Sequence, residues 1–291
     1  MRHYTYLIIG GGMTAAAAVE GIREVDLTND IGLISAEDEA PYNRPPLSKG
    51  LWKGTSLDSI WRMPEKNGVT LHLGLTIQEI VPEQKRVMDG KGDAFTYGKL
   101  LLATGGRPRR LPFGDGQIIY FRTLLDYRRL RALTEAGQRF VEIGGGFIGS
   151  EIAAALALNQ KEVVMVFPEK DIGDRIFPRP LAQCVSALYK QKGVELLAKE
   201  KIIGLEARGK QCVLKLSRNQ EMVVDGVVAG VGIEPNVEIA KAAGLEVGNG
   251  IIVDEFLRTS QPDIYAAGDA AAFFNPALGK RLRVEHEDNA N

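Results

Sequence analysis

The 291-residue chain has little of what metal, disulfide and membrane proteins are built from. It holds only two cysteines, Cys184 and Cys212, far apart and in no Cys-x-x-Cys arrangement, so neither a dithiol redox centre nor a cysteine metal site is expected. The three histidines, His3, His72 and His286, are too scattered for a metal cluster. Neither sign of charge dominates: 36 Lys and Arg stand against 37 Asp and Glu, for a net charge of −1. With no basic block either, nucleic acid is not an expected partner. No apolar run approaches the ~20 residues that a membrane span requires. The first apolar run leads into a glycine-rich turn rather than a cleavage site, which is not how a signal peptide reads. Two unpaired thiols fit a reducing cytoplasm. If the chain handles electrons, they must therefore sit on a bound cofactor.

Glycine, by contrast, is abundant: 33 residues, about 11% of the chain against a usual ~7%. The excess is concentrated in tight turns of the kind that join strand to helix. Gly10-Gly11-Gly12-Met13-Thr14-Ala15 follows the apolar run Tyr6-Leu7-Ile8-Ile9, and Gly144-Gly145-Gly146-Phe147-Ile148-Gly149 follows Phe140-Val141-Glu142-Ile143. In such a turn the first glycine (Gly10, Gly144) permits the tight bend. The second (Gly12, Gly146) lets backbone approach a pyrophosphate, and the third position (Ala15, Gly149) packs helix on strand. The helix that follows presents its positive N-terminus to the phosphates. Two such turns predict two nucleotides in one protein, with electrons passing between them.

The length allows two domains with full cores. The first βαβ unit is predicted as a strand over 6–9, a helix over Met13–Val25 and a strand over Ile31–Ser35. It ends near Glu37, about 20 residues past the glycines, where an acid accepts the hydroxyls of an adenosine ribose; a solvated loop carboxylate beside Asp38 and Glu39 is the alternative. Three prolines in Pro41–Lys49 predict a rigid, non-helical path that places Arg44 and Lys49. A strand over Leu100–Ala103 ends in Ala103-Thr104-Gly105, and Pro108–Gly116 marks a boundary. The second unit is predicted as a strand over 140–143, a helix over Ile148–Leu158 and strands over Val163–Phe167, Cys212–Leu216 and Met222–Val228. Gly230–Asn236 crosses back, and Thr259–Asp269 carries a short strand into a Gly268-Asp269 turn, with Asp269 opening a helix over Ala270–Phe274. The fold class is therefore α/β: two Rossmann-like dinucleotide-binding domains, residues 1–111 with 233–291 and residues 112–232, the second inserted into the first.

Taken together, these stretches resemble the two-dinucleotide flavoprotein reductases, and within them the ferredoxin and rubredoxin reductases and the apoptosis-inducing-factor relatives. Pro41–Lys49 matches that group's Pro-Tyr-x-Arg-Pro-Pro-Leu-Ser-Lys signature in full. Phe167-Pro168-Glu169-Lys170 and Arg283-Val284-Glu285-His286 look closest to the apoptosis-inducing-factor branch. The resemblance implies FAD on the first turn and NADH on the second. Gly10, Gly12, Ala15, Glu37 and Arg44 would hold the adenosine and pyrophosphate of FAD. Ala103, Thr104 and Gly105 would contribute to the same site, with Gly268, Glu285 and His286. Asp269 would bind the ribityl chain, or serve as a helix cap. Gly144, Gly146, Ile148 and Gly149 would hold the nicotinamide dinucleotide. Glu169 favours NADH, while Lys170 and Arg175 leave NADPH open.

The implied reaction is hydride transfer from the nicotinamide to flavin N5, followed by single-electron delivery to a small ferredoxin- or rubredoxin-type protein. Lys49 and Glu151 are the expected catalytic pair; the alternative is a surface lysine and an acid complementing a helix dipole. Phe147 either gates the flavin or packs in the core. Quinone, oxygen or dye as acceptor, and an NADH-responsive binding protein with slow turnover, are the competing functions. Three features depart from the family pattern. The chain stops where relatives continue through a helix into an interface domain, so that domain is expected to be absent and a helix over the last six residues to fray. Glu287 stands where an aromatic or histidine is usual, and the stretch between Trp61 and Gly74 is short.

Overall fold

The computed structural model describes residues 1–62, 68–286 and 290. Residues 287–289 and 291 of the expected C-terminal helix, and residues 63–67 of the shortened stretch after Trp61, lie outside the described residues. By contact the chain forms two units, one comprising Met1–Asn43, Leu57–Arg107 and Pro235–Asn291, the other Arg44–Ser56 and Pro108–Glu234. Arg44–Ser56, which the sequence reading places with the first domain, is thus grouped with the second unit.

The first unit opens with β1 (Arg2–Ile9), α1 (Met13–Val25), β2 (Ile31–Ile34) and β3 (Val69–His72), all parallel in their pairings. The alanine-rich face of α1 buries Ala15, Ala16 and Val19 on the sheet, where small side chains allow close helix–strand contact. The helix stops at Asp26, whose carboxylate accepts from the N–H groups of Thr28 and Asn29 and so favours a turn. An antiparallel hairpin, β4 (Ile77–Val81) and β5 (Arg86–Asp89), leads to β6 (Ala94–Leu102), which returns parallel to β1. The sheet order is β3-β2-β1-β6-β5-β4. The strand order reverses between β1 and β6, and open α/β sheets bind ligands at such a switch point, beyond the carboxyl ends of the strands.

The chain leaves through β7 (Gly106–Pro108) and builds the second unit from β8 (Ile118–Tyr120), α2 (Leu124–Ala136), β9 (Arg139–Ile143), α3 (Phe147–Leu158), β10 (Glu162–Phe167), α4 (Arg179–Gln191) and β11 (Glu195–Ala198). β12 (Ile202–Arg208), β13 (Gln211–Leu216) and β14 (Glu221–Val224) form an antiparallel sheet, and β15 (Gly226–Ala229) joins the parallel one, ordered β11-β10-β9-β15-β8. Here the switch point lies between β9 and β15. The single strand predicted over Met222–Val228 is in fact two strands in two sheets. The break is at Asp225, whose carboxylate accepts from the backbone of Gln138 and Arg139.

β16 (Ile233–Pro235) returns the chain to the first unit, which adds α5 (Glu238–Ala242), β17 (Val247–Gly248), β18 (Gly250–Ile252), β19 (Ile264–Ala266), β20 (Ala271–Asn275) and β21 (Lys280–Leu282). β19 pairs parallel with β6. The helix predicted over Ala270–Phe274 is corrected. Asp269 lies in a short 3₁₀ turn, Gly268–Ala270, and Ala271–Asn275 is a strand paired to β18 and β21. Ala271 and Ala272 are buried there, so sheet packing overrides their helix propensity. The non-helical path predicted for Pro41–Lys49 is corrected in part, because Pro45–Ser48 forms a 3₁₀ turn, followed by another over Gly50–Lys53. Proline at the start of such a turn loses no hydrogen bond.

Candidate functional site

The two glycine turns have the same construction. Gly10 and Gly144 sit at φ +128° and +125°, in the region that only glycine enters without strain. A Cβ there would stand 2.1 Å from the Ala103 carbonyl oxygen in the first unit and 2.5 Å from that of Gly230 in the second. Each turn is thereby locked against the neighbouring strand across its switch point. Gly11 and Gly145 are also fixed by packing: their Cβ atoms would meet the Ser35 side chain at 2.1 Å and the Phe167 ring at 3.2 Å.

Gly12 and Gly146 differ. Their φ angles, −91° and −86°, suit any residue. A Cβ on Gly12 would meet no described atom within 4 Å, and one on Gly146 only the Gly230 oxygen at 3.9 Å. Protein packing gives no reason for glycine at either position, whereas a ligand pressed against the backbone does.

Both turns end in a helix N-cap, and among the described residues no side chain caps α1 or α3 and no acid occupies either first turn. α2 is capped in the ordinary way: Thr123 accepts from the Asp126 N–H, and Asp126 accepts from the Thr123 N–H. Uncapped N–H groups and the positive end of the helix dipole make an anion site.

In the first unit, Ala103, Ser35 and Gly268 lie against the first turn and the start of α1. Glu37 is half-buried beyond β2, with its carboxylate accepting from the Tyr42 hydroxyl at 2.5 Å and its N–H donating to Ser35 Oγ. It is not a solvated loop carboxylate. Ala103 is buried at the end of β6; Thr104 donates to the Asn236 carbonyl, Asn236 donates back to that of Thr104, and Gly105 accepts from the Asn236 N–H. Gly268, at φ +69°, lies against Thr14 in the first turn of α1, where a Cβ would meet Oγ1 at 2.3 Å. Arg283 links two further candidates, donating to the Asp269 carbonyl and to the Glu285 carboxylate at 2.5 Å. His286 follows in a bend. Sequence reasoning missed Asn236, Ser35 and Arg283, whose roles lie in tertiary hydrogen bonds that no local spacing signals.

In the second unit, Lys49 Nζ lies 2.9 Å from Glu151 Oε1, and the Ser48 hydroxyl donates to Glu151 Oε2 at 2.6 Å. Both carboxylate oxygens are thus engaged. Glu151 is the fifth residue of α3, beyond the first turn, so complementing the helix dipole does not account for it. An ion pair this exposed contributes only ~0–1 kcal/mol to stability. Ser48 is a further residue the sequence reading missed. Its backbone is anchored by Trp52, which is buried, donates to the Leu47 carbonyl and packs edge-on to Tyr127. Arg44 donates to the Arg122 carbonyl.

Phe147 opens α3 with 56% of its surface exposed, which excludes the core alternative, and it stacks edge-on with Phe177. Ile148 beside it is also exposed, and Gly149 is buried with a Cβ position 2.5 Å from the Gly144 oxygen. Glu169 lies just past β10, largely buried and ion-paired with the exposed Arg175. The segment between them is tied to the second turn by Gly173 N–H donating to the Gly145 carbonyl. Among the described residues no group of His, Cys, Asp or Glu is arranged to hold a metal ion, and no helix is long and apolar enough to cross a membrane. Both cysteines are free, Cys184 exposed and Cys212 buried.

The family model described as pyridine nucleotide-disulphide oxidoreductase matches residues 4–290. The ferredoxin–NAD(+) reductase component of the anthranilate 1,2-dioxygenase system of Burkholderia cepacia is 36% identical over 292 residues, which cover 96% of this chain and 71% of that protein. Putidaredoxin reductase of Pseudomonas putida is 32% identical, covering 98% and 71%. Apoptosis-inducing factor 1 of Dictyostelium discoideum is 31% identical, covering all of this chain and 60% of that protein. Among solved structures, a covalent putidaredoxin reductase–putidaredoxin complex superposes with a TM-score of 0.94 at 31% identity, over all of this chain and 73% of that one. With two glycine turns of matching construction and a match along nearly its whole length, the chain belongs to the pyridine nucleotide-disulphide oxidoreductases, in the group of the ferredoxin and rubredoxin reductases.

Proposed function

We propose that this oxidoreductase binds FAD on the first turn and NADH on the second, and delivers electrons to a small ferredoxin- or rubredoxin-type protein. The observation that carries the reading is the pair Gly12 and Gly146: glycines that packing does not require, each at the uncapped N-terminus of a helix. The donor set fits a dinucleotide in each unit. In the first, backbone N–H groups of α1 face an anion, Glu37 accepts from a ribose, and Asp269 and Thr104 follow directly on Gly268 and Ala103, which lie against the turn and the start of α1. In the second, the N–H groups of α3 do the same, with Glu169 as the ribose acceptor.

When bound, the two cofactors supply hydride transfer from nicotinamide to flavin N5 and one-electron release. The chain orients them. Lys49 offers a cation for developing negative charge on the flavin ring, and Ser48 and Glu151 hold its ammonium in place. Phe147 covers the nicotinamide position until a dinucleotide displaces it. Glu169 favours NADH, and its partner Arg175 supplies a cation for a 2′-phosphate, so NADPH is a weaker second substrate. The ferredoxin and rubredoxin reductases match over a larger share of their length than apoptosis-inducing factor does, which favours a turning-over reductase over a slow redox sensor. A cytoplasmic location with both thiols reduced goes with this reading.

The test is an anaerobic titration of the FAD-loaded protein. NADH bleaches the flavin spectrum, NADPH does so more slowly, and a ferredoxin-type carrier restores it at a rate that falls with salt. A flavin spectrum that neither nucleotide changes would sink the reading.

A further inference from the structure

Aligning the two turns on Gly10 and Gly144 places Ile8 opposite Glu142 and Ala15 opposite Gly149, while Ala103 and Gly230 correspond as the residues whose carbonyls close on Gly10 and Gly144. In the first unit Ile8, Ala15 and Ala103 share one apolar cluster under the turn. In the second, the isoleucine is a glutamate and both alanines are glycines. The Glu142 carboxyl fills the space that these changes open. Its Oε1 stands 2.9 Å from where a Cβ on Gly149 would be and 3.1 Å from where one on Gly230 would be.

Glu142 is 0% exposed, and neither carboxyl oxygen has a hydrogen-bond partner that satisfies it. The Gly230 N–H is turned towards the carboxyl but already donates to the Ile143 carbonyl. Burying an unpaired carboxylate costs several kcal/mol, so such a group holds its proton instead. Burial accordingly pushes its pKa well above the ordinary value, opposed only by the Gly230 N–H.

The elements packed against β9 carry few titratable groups. Glu151 of α3 is held by Ser48 and Lys49; Glu162 and Glu221 open β10 and β14 and are exposed. Arg139 and Asp225 lie at the opposite end of the sheet, and Tyr189 of α4 donates to the Ser150 carbonyl. None of them contributes to the ionisation of Glu142.

We propose that Glu142 is a proton-linked positioning residue for the second turn: it keeps its proton while a dinucleotide is seated above it, and its ionisation weakens dinucleotide binding. The inference rests on the reading that this turn holds a dinucleotide. The physical basis is that the pyrophosphate brings two negative charges to the N-terminus of α3, whose third residue, Gly149, borders the carboxyl. A carboxylate in that slot competes with the phosphates for the same helix end, in a medium that screens it poorly. By linkage, whatever lowers affinity when the proton leaves must raise proton affinity when the ligand binds.

The experiment is calorimetric titration of the FAD-loaded protein with NAD⁺ between about pH 6 and about pH 9.5, in two buffers of different ionisation enthalpy, for the wild type and E142Q. In the wild type, Kd rises by up to about tenfold per pH unit through the upper part of the range, and binding takes up protons. In E142Q the slope and the uptake attributable to this group vanish. A flat wild-type profile without proton uptake overturns the proposal, as does an E142Q profile that keeps the wild-type slope. If the variant does not fold, the wild-type proton uptake decides alone. Absence of NAD⁺ binding at every pH overturns the dinucleotide reading itself, and so is distinguishable from binding that ignores pH.

Discussion

The two glycine turns are alike above and unlike below. Above, each has a left-handed first glycine locked against the next strand, an unneeded glycine at the N-cap and an uncapped helix. Below, the first rests on Ile8 with two alanine methyls, and the second on a buried carboxyl between two glycines. On the proposed reading, the upper surface is what a dinucleotide touches and the lower sets how easily that surface holds negative charge. A tightly held prosthetic group and a substrate that comes and goes ask different things of the same turn, and an apolar floor suits the first.

The largest expected effects come from Gly10→Ala and Gly144→Ala, each of which forces a methyl into a carbonyl at a strained φ, at a cost of about 3 kcal/mol. The comparison predicts different losses: G10A is purified without flavin, while G144A keeps its flavin spectrum and no longer bleaches with NADH. Loss of the same cofactor from both would break it. Next come Gly12→Asp and Gly146→Asp. Folding stability should shift by only a few tenths of a kcal/mol, since a capping side chain fits, while FAD or NAD⁺ affinity falls about 10²-fold, because the new carboxylate occupies the anion site. Thermal melts and titrations on the same samples separate the two effects.

Glu142→Gln sharpens the comparison through folding alone. The folded carboxyl has a raised pKa, so the wild type loses stability as pH rises from the unfolded value near 4.3 towards the folded one. The variant lacks this loss, and the gap widens by about 1.4 kcal/mol per pH unit across that window before levelling off. Parallel denaturant curves at several pH values would contradict this. The smallest effects concern the pair shared by signature segment and helix. Lys49→Met should slow flavin reduction by NADH about tenfold, and Ser48→Ala less, with folding stability changed by under about 1 kcal/mol in each; stopped-flow bleaching reads this directly.

Much of this architecture is legible in the sequence because backbone demands are local. The helix over Met13–Val25, the strands feeding both turns and the turn glycines themselves follow from apolar runs and φ requirements a few residues long. α4 was hidden for a physical reason: it opens between prolines, and its buried positions are Ala182 and Ser186, too small and polar to register as an apolar face. α2 buries Leu124, Leu130 and Thr134 amid arginines, a sparse stripe of the same kind. Within the site, Lys49 and Glu151 are visible as residue types, but Ser48 and Asn236 are not, since each acts across more than a hundred residues of chain. Glu142 looks like an ordinary polar residue at a strand end until its burial is known.

The grouping of Arg44–Ser56 with Pro108–Glu234 bears on how this protein can be recombined. A shuffling experiment that exchanges only the continuous block 108–234 between relatives would carry Glu151 and Tyr127 into the hybrid and leave Ser48, Lys49 and Trp52 behind. The heritable module is therefore discontinuous. Its thirteen-residue outlier, delivered from a distant stretch of the gene, has to travel with the block for the hybrid to keep its Lys49–Glu151 pair and the Trp52 anchor beneath it.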